Sequence, residues 1–175
     1  MNGLEKAISE DKDLKFLREA YKYAWKYSKD PSTATGVVIV KDDRILVWGA
    51  NYAPEGVLLT PEILTSELKY EYIEHAERVV IAKSARNGIS LIDSTMISPW
   101  LPCAPCLRQS LLAGIRELVT HKELQELSAK LDSRWRESQR IALDMIKQTG
   151  LIYRAVSKKI GDDISIRFKG NIYHL

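Results

Sequence analysis

The chain has 175 residues, of which 45% are hydrophobic and 28% charged, with a formal net charge of +3. That length suits one domain able to bury roughly two-thirds of its unfolded surface, and no run of about 20 apolar residues is present to span a bilayer. The mild positive excess permits a phosphate-bearing ligand but is no nucleic-acid footprint.

In chain order, "MNGLEKAISEDKDLKF" scatters charges where a signal peptide would carry an apolar core, so a cytoplasmic location is expected. Leu14, Leu17, Tyr21 and Ala24 recur at helical spacing and predict a helix over about 11–28, closed by "SKDPST" because a proline disfavours helical geometry in the residue before it. "GVVIV" and "RILVWG", separated by "KDD", read as a β-hairpin. A polar stretch with Pro54, Gly56 and Pro61 is long enough for a functional loop or lid. From His75 to about Arg86 the pattern is helical, and Asn87-Gly88 stops it. "STMIS" reads as a short strand halted by Pro99, and "CAPCLRQSLLAG" as a helix starting near Cys103 and closing at Gly114. "IRELVT" is a strand with His121 as a polar residue at its end. "LDSRWRESQR" interleaves acids with its bases, as a solvated helix face does. A helix follows from Trp135 to Gln148, with Ser133 as N-cap and Gly150 past its end. "LIYRAV" and "ISIRF" are late strands, the second alternating Ile164, Ile166 and Phe168 against Ser165 and Arg167. Strands alternating with helices in the second half imply an α/β sandwich with parallel pairing there.

Both cysteines, Cys103 and Cys106, fall at the start of one helix, downstream of His75-Ala76-Glu77. Cys-x-x-Cys alone fits a thioredoxin-like redox pair, because a helix N-terminus lowers a thiol's pKa. That reading leaves the His-Ala-Glu segment unexplained. It also fits half of a structural zinc site, but such a site needs two more ligands. No other cysteine exists, and His121 and His174 stand apart from any ligand pair. His75, Cys103 and Cys106 together would hold a metal through three ligands and leave one tetrahedral position open, as catalytic zinc sites do. The thiolates would gain from the helix dipole. Glu77, in the first turn after His75, could take a proton from water activated at that open position and pass it to a leaving amine. The reaction class is metal-assisted hydrolysis.

"HAE" at 75–77 followed by "PCAPC" at 102–106 matches the His-x-Glu and Pro-Cys-x-x-Cys pattern of zinc deaminases of nucleobases. On these residues the chain resembles the cytidine/deoxycytidylate deaminase superfamily, most closely its deoxycytidylate (dCMP) branch. The resemblance runs over about residues 14–155, through "SKDPSTATGVVIV", "WGANYAPEGV", "HAER", "PWLPCAPC", "AGIRELVT" and "DSRWRESQRIALDMIKQTGL". It implies a three-layer α/β/α sandwich with a mixed central sheet of about five strands. One zinc-dependent deaminase domain would cover 1–175, with a strand-like extension over 156–175. Zn2+ would be held by His75, Cys103 and Cys106, with Glu77 as proton shuttle. The backbone N–H of Ala76 would contact the pyrimidine carbonyl and Asn51 the sugar. Trp100, just before "LPC", is placed to line the base pocket.

The activity so implied is conversion of dCMP to dUMP with release of ammonia, in a homo-oligomer whose substrate is a small cytosine nucleotide. Other substrates stay open: cytidine, cytosine, another aminated heterocycle, or adenosine in transfer RNA. So does a nucleotide-binding regulator without catalysis. A polynucleotide partner is not expected, since no pronounced basic stripe with interleaved aromatics is present. Three positions depart from the family's usual pattern. Val79 stands where asparagine is frequent, and Pro99 where threonine is. Glu55 in "PEG" replaces the arginine of Pro-Arg-Gly, and a carboxylate there would repel a phosphate if it faced the pocket.

Overall fold

In the computed structural model, which describes residues 3–161 and 163–175, the chain opens with the long helix α1 (Gly3–Tyr27). It starts well before residue 11, where apolar spacing placed it. The added turns, "GLEKAISE", are rich in Leu, Glu, Lys and Ala, which favour helix whether or not they are apolar on one face. The expected hairpin follows as β1 (Gly36–Lys41) and β2 (Arg44–Ala50), turning on Asp42 and Asp43, both at positive φ (49° and 61°). The polar excursion contains two short helices, α2 (Pro61–Thr65) and α3 (Lys69–Tyr72), and an isolated bridge between Tyr52 and Glu74 closes its base.

Next come α4 (Ala76–Arg86), β3 (Thr95–Ile97), α5 (Ala104–Leu112) and β4 (Glu117–His121). Helix α6 (Lys122–Leu131) follows, an element additional to those expected between the strand and the last helix. Its signal was present, since Leu124, Leu127 and Leu131 lie at helical spacing. A 3₁₀ turn (Ser133–Trp135) then leads into α7 (Arg136–Thr149). The cap here differs from expectation. The Asp132 carboxylate, not Ser133, accepts the Arg134 amide at 3.1 Å, and Trp135 precedes α7 without capping it. Gly150 ends α7 in the left-handed region (φ 68°), as expected. The chain closes with β5 (Ile152–Val156) and a separate antiparallel hairpin, β6 (Ser165–Phe168) and β7 (Asn171–His174).

The central sheet has five strands in the order β2-β1-β3-β4-β5; β1 pairs antiparallel with β2 and β3, and β3-β4-β5 are parallel. Alternate residues enter opposite cores, as a period of two requires. Val38, Val40, Ile97 and Val119 pack with α1, Leu124 of α6 and the β6 residues Ile166 and Phe168. Val37, Ile39, Met96 and Leu118 pack with Val80 of α4, Leu107 of α5 and Ala142 and Ile146 of α7. The architecture is therefore the three-layer mixed sandwich expected. Among the described residues no helix is long and apolar enough to cross a membrane.

The approach of α1 to β1 depends on one missing side chain. A β-carbon on Gly36 would overlap the Ala20 carbonyl oxygen and lie 2.5 Å from the Ala24 amide nitrogen, both of them backbone. Gly36→Ala is therefore expected to destabilise the protein by about 3 kcal/mol, read as a lower urea midpoint.

His121 closes β4 fully buried. Its Nδ1 takes the Tyr21 hydroxyl at 2.7 Å, and Nε2 lies 3.2 Å from the Lys158 carbonyl, an arrangement that suits the neutral ring. Burial pushes the imidazole below its ordinary 6.5, against the Lys158 carbonyl and the Glu123 charge, which raise it. Since the unfolded ring binds its proton more readily, this group's contribution is intact above about 6.5 and is lost as pH falls toward the lowered folded value. The wild-type urea midpoint should drop between pH 7.5 and 5.5 by more than that of His121→Gln.

Candidate metal centre and cleft

His75 immediately precedes α4 in extended geometry (φ −68°, ψ 143°), and Cys103 precedes α5 in the same way (φ −68°, ψ 163°). Neither side chain caps its own helix, so both are free to turn toward a common point. Pro105, in the first turn of α5, suits a helix start, where a missing N–H costs nothing. Cys106 follows one turn on and is fully buried. Two helix N-termini thus converge, and their unpaired N–H groups and dipoles favour negative charge on the sulfurs.

The geometry brings the three metal-ligand candidates together. One imidazole nitrogen and both sulfurs lie within 4.8 Å of one another. His75 Nδ1 is 3.6 Å from Cys103 Sγ and 3.4 Å from Cys106 Sγ. Those separations match the edges of a tetrahedron with legs of roughly 2.0–2.3 Å, as zinc bound by imidazole and thiolate requires. No fourth His, Cys, Asp or Glu joins the cluster among the described residues. The thiols share charge as such a donor set should. A hydrogen bond from Cys106 holds the Cys103 thiol down to about 4, and the same bond raises Cys106. Burial alone would lower the His75 imidazole, but its bond to Cys103 and the Glu77 charge raise it.

Glu77 is 4% exposed and reaches the same space. Burial pushes its carboxyl up, opposed by the charge of His75, so the neutral, proton-carrying form is favoured more than in water. The space is a cleft open to solvent. His75, Glu77 and Cys103 form one end of its wall, with the indole of Trp135 edge-on to His75 at 5.5 Å.

Asn51 and Trp100 also line the cleft, while Ala76, the first residue of α4, is buried outside the lining. The Asn51 amide braces the loop after α1, its Oδ1 accepting the Thr35 amide and its Nδ2 donating to the Thr33 carbonyl, each at 2.8 Å. Trp100 donates through Nε1 to the Ala34 carbonyl at 3.0 Å and packs on Phe168 at 4.8 Å. Phe168 brings the C-terminal hairpin into the wall, and the hairpin is tied to the same loop by the Ala34 amide on the Arg167 carbonyl.

The three departures fall away from the cleft lining. Glu55 is exposed, whereas Val79 and Pro99 are buried. Several lining residues carried no legible signal. Asp30 falls in a segment whose pattern signals only a helix stop, and its buried carboxylate meets buried Lys69 at 2.8 Å. Ser128 comes from the unassigned α6, and Tyr70 from the polar excursion. Arg134, Trp135 and Gln139 belong to the stretch that reads as a solvated face; there the alternation of charges concealed a cleft wall.

Comparison with known proteins adds four findings. The family model described as "Cytidine and deoxycytidylate deaminase zinc-binding region" matches residues 10–122. An uncharacterized deaminase in the luxG 3′ region of Aliivibrio fischeri is 31% identical over 130 residues, 71% of this chain and 80% of that protein. A probable deoxycytidylate deaminase of Caenorhabditis elegans is 28% identical over 151 residues, 81% of this chain and 75% of that protein. In fold, the chain is similar to the dCMP deaminase of cyanophage S-TIM5 solved in complex with dCMP and dUMP, with a TM-score of 0.55 at 18% identity over 89% of this chain and 98% of that one.

Proposed function

We propose, for a chain that belongs to the zinc-binding cytidine and deoxycytidylate deaminase family, that it removes the exocyclic amino group of a cytosine-type ring by hydrolysis. The observation that carries this reading is the meeting of His75, Cys103 and Cys106 within 4.8 Å, with the buried carboxyl of Glu77 in the same cleft. His75, Cys103 and Cys106 would hold the zinc; when bound, the ion supplies Lewis-acid activation of water.

Glu77 relays the two protons of that water, one to the ring nitrogen beside the carbon under attack and one to the amino nitrogen, so that the exocyclic C–N bond breaks, ammonia leaves and the ring carbon keeps the water oxygen as a carbonyl. A carboxyl whose neutral form is favoured by burial suits the interval in which it carries the proton. Ala76 opens α4, and its backbone N–H, which has no intrahelical acceptor, would meet a ring carbonyl only where the ring packs directly against the start of α4. Trp100, and Asn51 with its remaining N–H, form walls against which ring and substituent are held.

A second reading adds the phosphate: the C. elegans relative is named for deoxycytidylate, and the cyanophage enzyme was solved with dCMP and dUMP. The test of the main reading is ammonia release by zinc-loaded protein from cytosine, its nucleosides and their monophosphates. Release from at least one is expected. Release from none, or tight retention of a nucleotide that remains unchanged, would overturn it in favour of a binding protein.

A further inference from the structure

We infer that Asp30 makes the cleft selective for an uncharged, phosphate-free ligand, a nucleoside in preference to its monophosphate, by offering a carboxylate oxygen to the ligand's hydroxyl groups. The inference rests on the reading that the cleft takes an aminated ring, and extends it to the other end of the substrate. Among the described residues that line the cleft, and apart from the metal donors, the charged side chains are Asp30, Glu77 and Arg134.

Arg134, the cation of the three, already has a carboxylate partner and spends three of its five N–H donors inside the protein. Its Nε and Nη2 meet the two oxygens of Asp132 at 3.1 and 2.9 Å, and its Nη1 reaches the Tyr70 hydroxyl at 3.3 Å. Asp132 is 5% exposed, so a phosphate that captured the guanidinium would strand a buried carboxylate. Lys69 sits behind the wall, 2.8 Å from Asp30 and over the Tyr70 ring, and is buried. Among the described lining residues, no cation without a carboxylate partner is left for a phosphate.

Asp30 has acceptor capacity to spare. The Ser32 amide and the Lys69 ammonium both bond to Oδ1, each at 2.8 Å. Oδ2 has no partner among the described residues, and it is not one of the sealed atoms without one, which are Ser28 Oγ, Arg78 Nε and Ser84 Oγ. A carboxylate accepts and cannot donate. Sugar hydroxyls donate to it in charge-assisted bonds, whereas a phosphate offers only oxygens of the same sign. The neighbouring polar lining, Thr33, Ser128 and Gln139, is neutral and serves hydroxyl groups equally well.

The experiment uses the zinc-loaded full chain with deoxycytidine, cytidine and their 5′-monophosphates, measuring kcat/KM by ammonia release and affinity by calorimetry. The nucleoside is expected to exceed its monophosphate by about tenfold or more in each measure. A monophosphate preferred in either measure overturns the inference. Affinity keeps this result separate from the function itself. If no compound turns over while the nucleoside still binds more tightly, the deaminase reading fails and the selectivity stands.

Asp30→Asn alone would leave Lys69 buried without its partner, so the informative variant is the double D30N/K69M. With zinc content matched to wild type, it should lose about tenfold of the discrimination against the monophosphate. An unchanged ratio in a folded double variant overturns the role of Asp30, and if that variant does not fold, the wild-type ratios decide.

Discussion

Replacing Glu77 with glutamine is expected to leave zinc bound and to lower ammonia release by about 10²–10⁴-fold. Glutamine matches the glutamate in shape, so the buried first turn of α4 keeps its packing. Lost instead is a group able to accept a proton and return it. Glu77 lies outside the three-donor cluster, which is why metal content and turnover should separate. Zinc content by mass spectrometry and initial rates on the best substrate check both halves. A variant turning over at wild-type rate would remove Glu77 from the chemistry, and one losing both zinc and activity would make it part of the metal's support.

The largest expected effect on stability is at the Asp30–Lys69 pair. Lys69→Met should cost about 3–5 kcal/mol, because it leaves a carboxylate that is 5% exposed without its counter-ion. The double variant D30N/K69M should recover much of that loss, since an amide and a thioether carry no uncompensated charge. Lys69 ties α3 to the loop after α1, so the single variant should also loosen the wall formed by Tyr70 and Ile73. Denaturant midpoints of the three proteins measure the effect. A single variant within 1 kcal/mol of wild type, about one-third of the smaller expected loss, would show that water reaches the pair and relieves the charge.

What could be read from the sequence divides along physical lines. Period-two and period-3.6 patterns reveal elements whose faces are buried, so β1, β2, β3, β4, α4, α5 and the central sheet are legible. The metal cluster is legible for a different reason. Cysteine is rare in this chain, and zinc takes thiolate and imidazole donors at characteristic spacings, so His75, Cys103 and Cys106 stand out from 175 residues. Helix α6 was missed although its leucines mark it, whereas the early turns of α1 carry a signal of propensity alone.

The far side of the cleft could not be read in this way. Asp30 and Lys69 are 39 positions apart, and nothing local distinguishes a buried Asp or Lys from a solvated one. Arg134 and Trp135 sit in a charge-alternating stretch that resembles any exposed helix; the fold turns it toward the cleft through Asp132 and the 3₁₀ turn. Glu55 shows the converse. Its charge suggested an effect on a phosphate, but the fold leaves it exposed outside the lining.

The three donors and their ion are tested most directly by the zinc content of purified wild-type protein beside that of Cys106→Ser. Near one zinc per chain in the wild type and near none in the variant is the predicted pair of values. Near-stoichiometric zinc in Cys106→Ser, or none in the wild type after exposure to the metal, would contradict a site built from His75, Cys103 and Cys106.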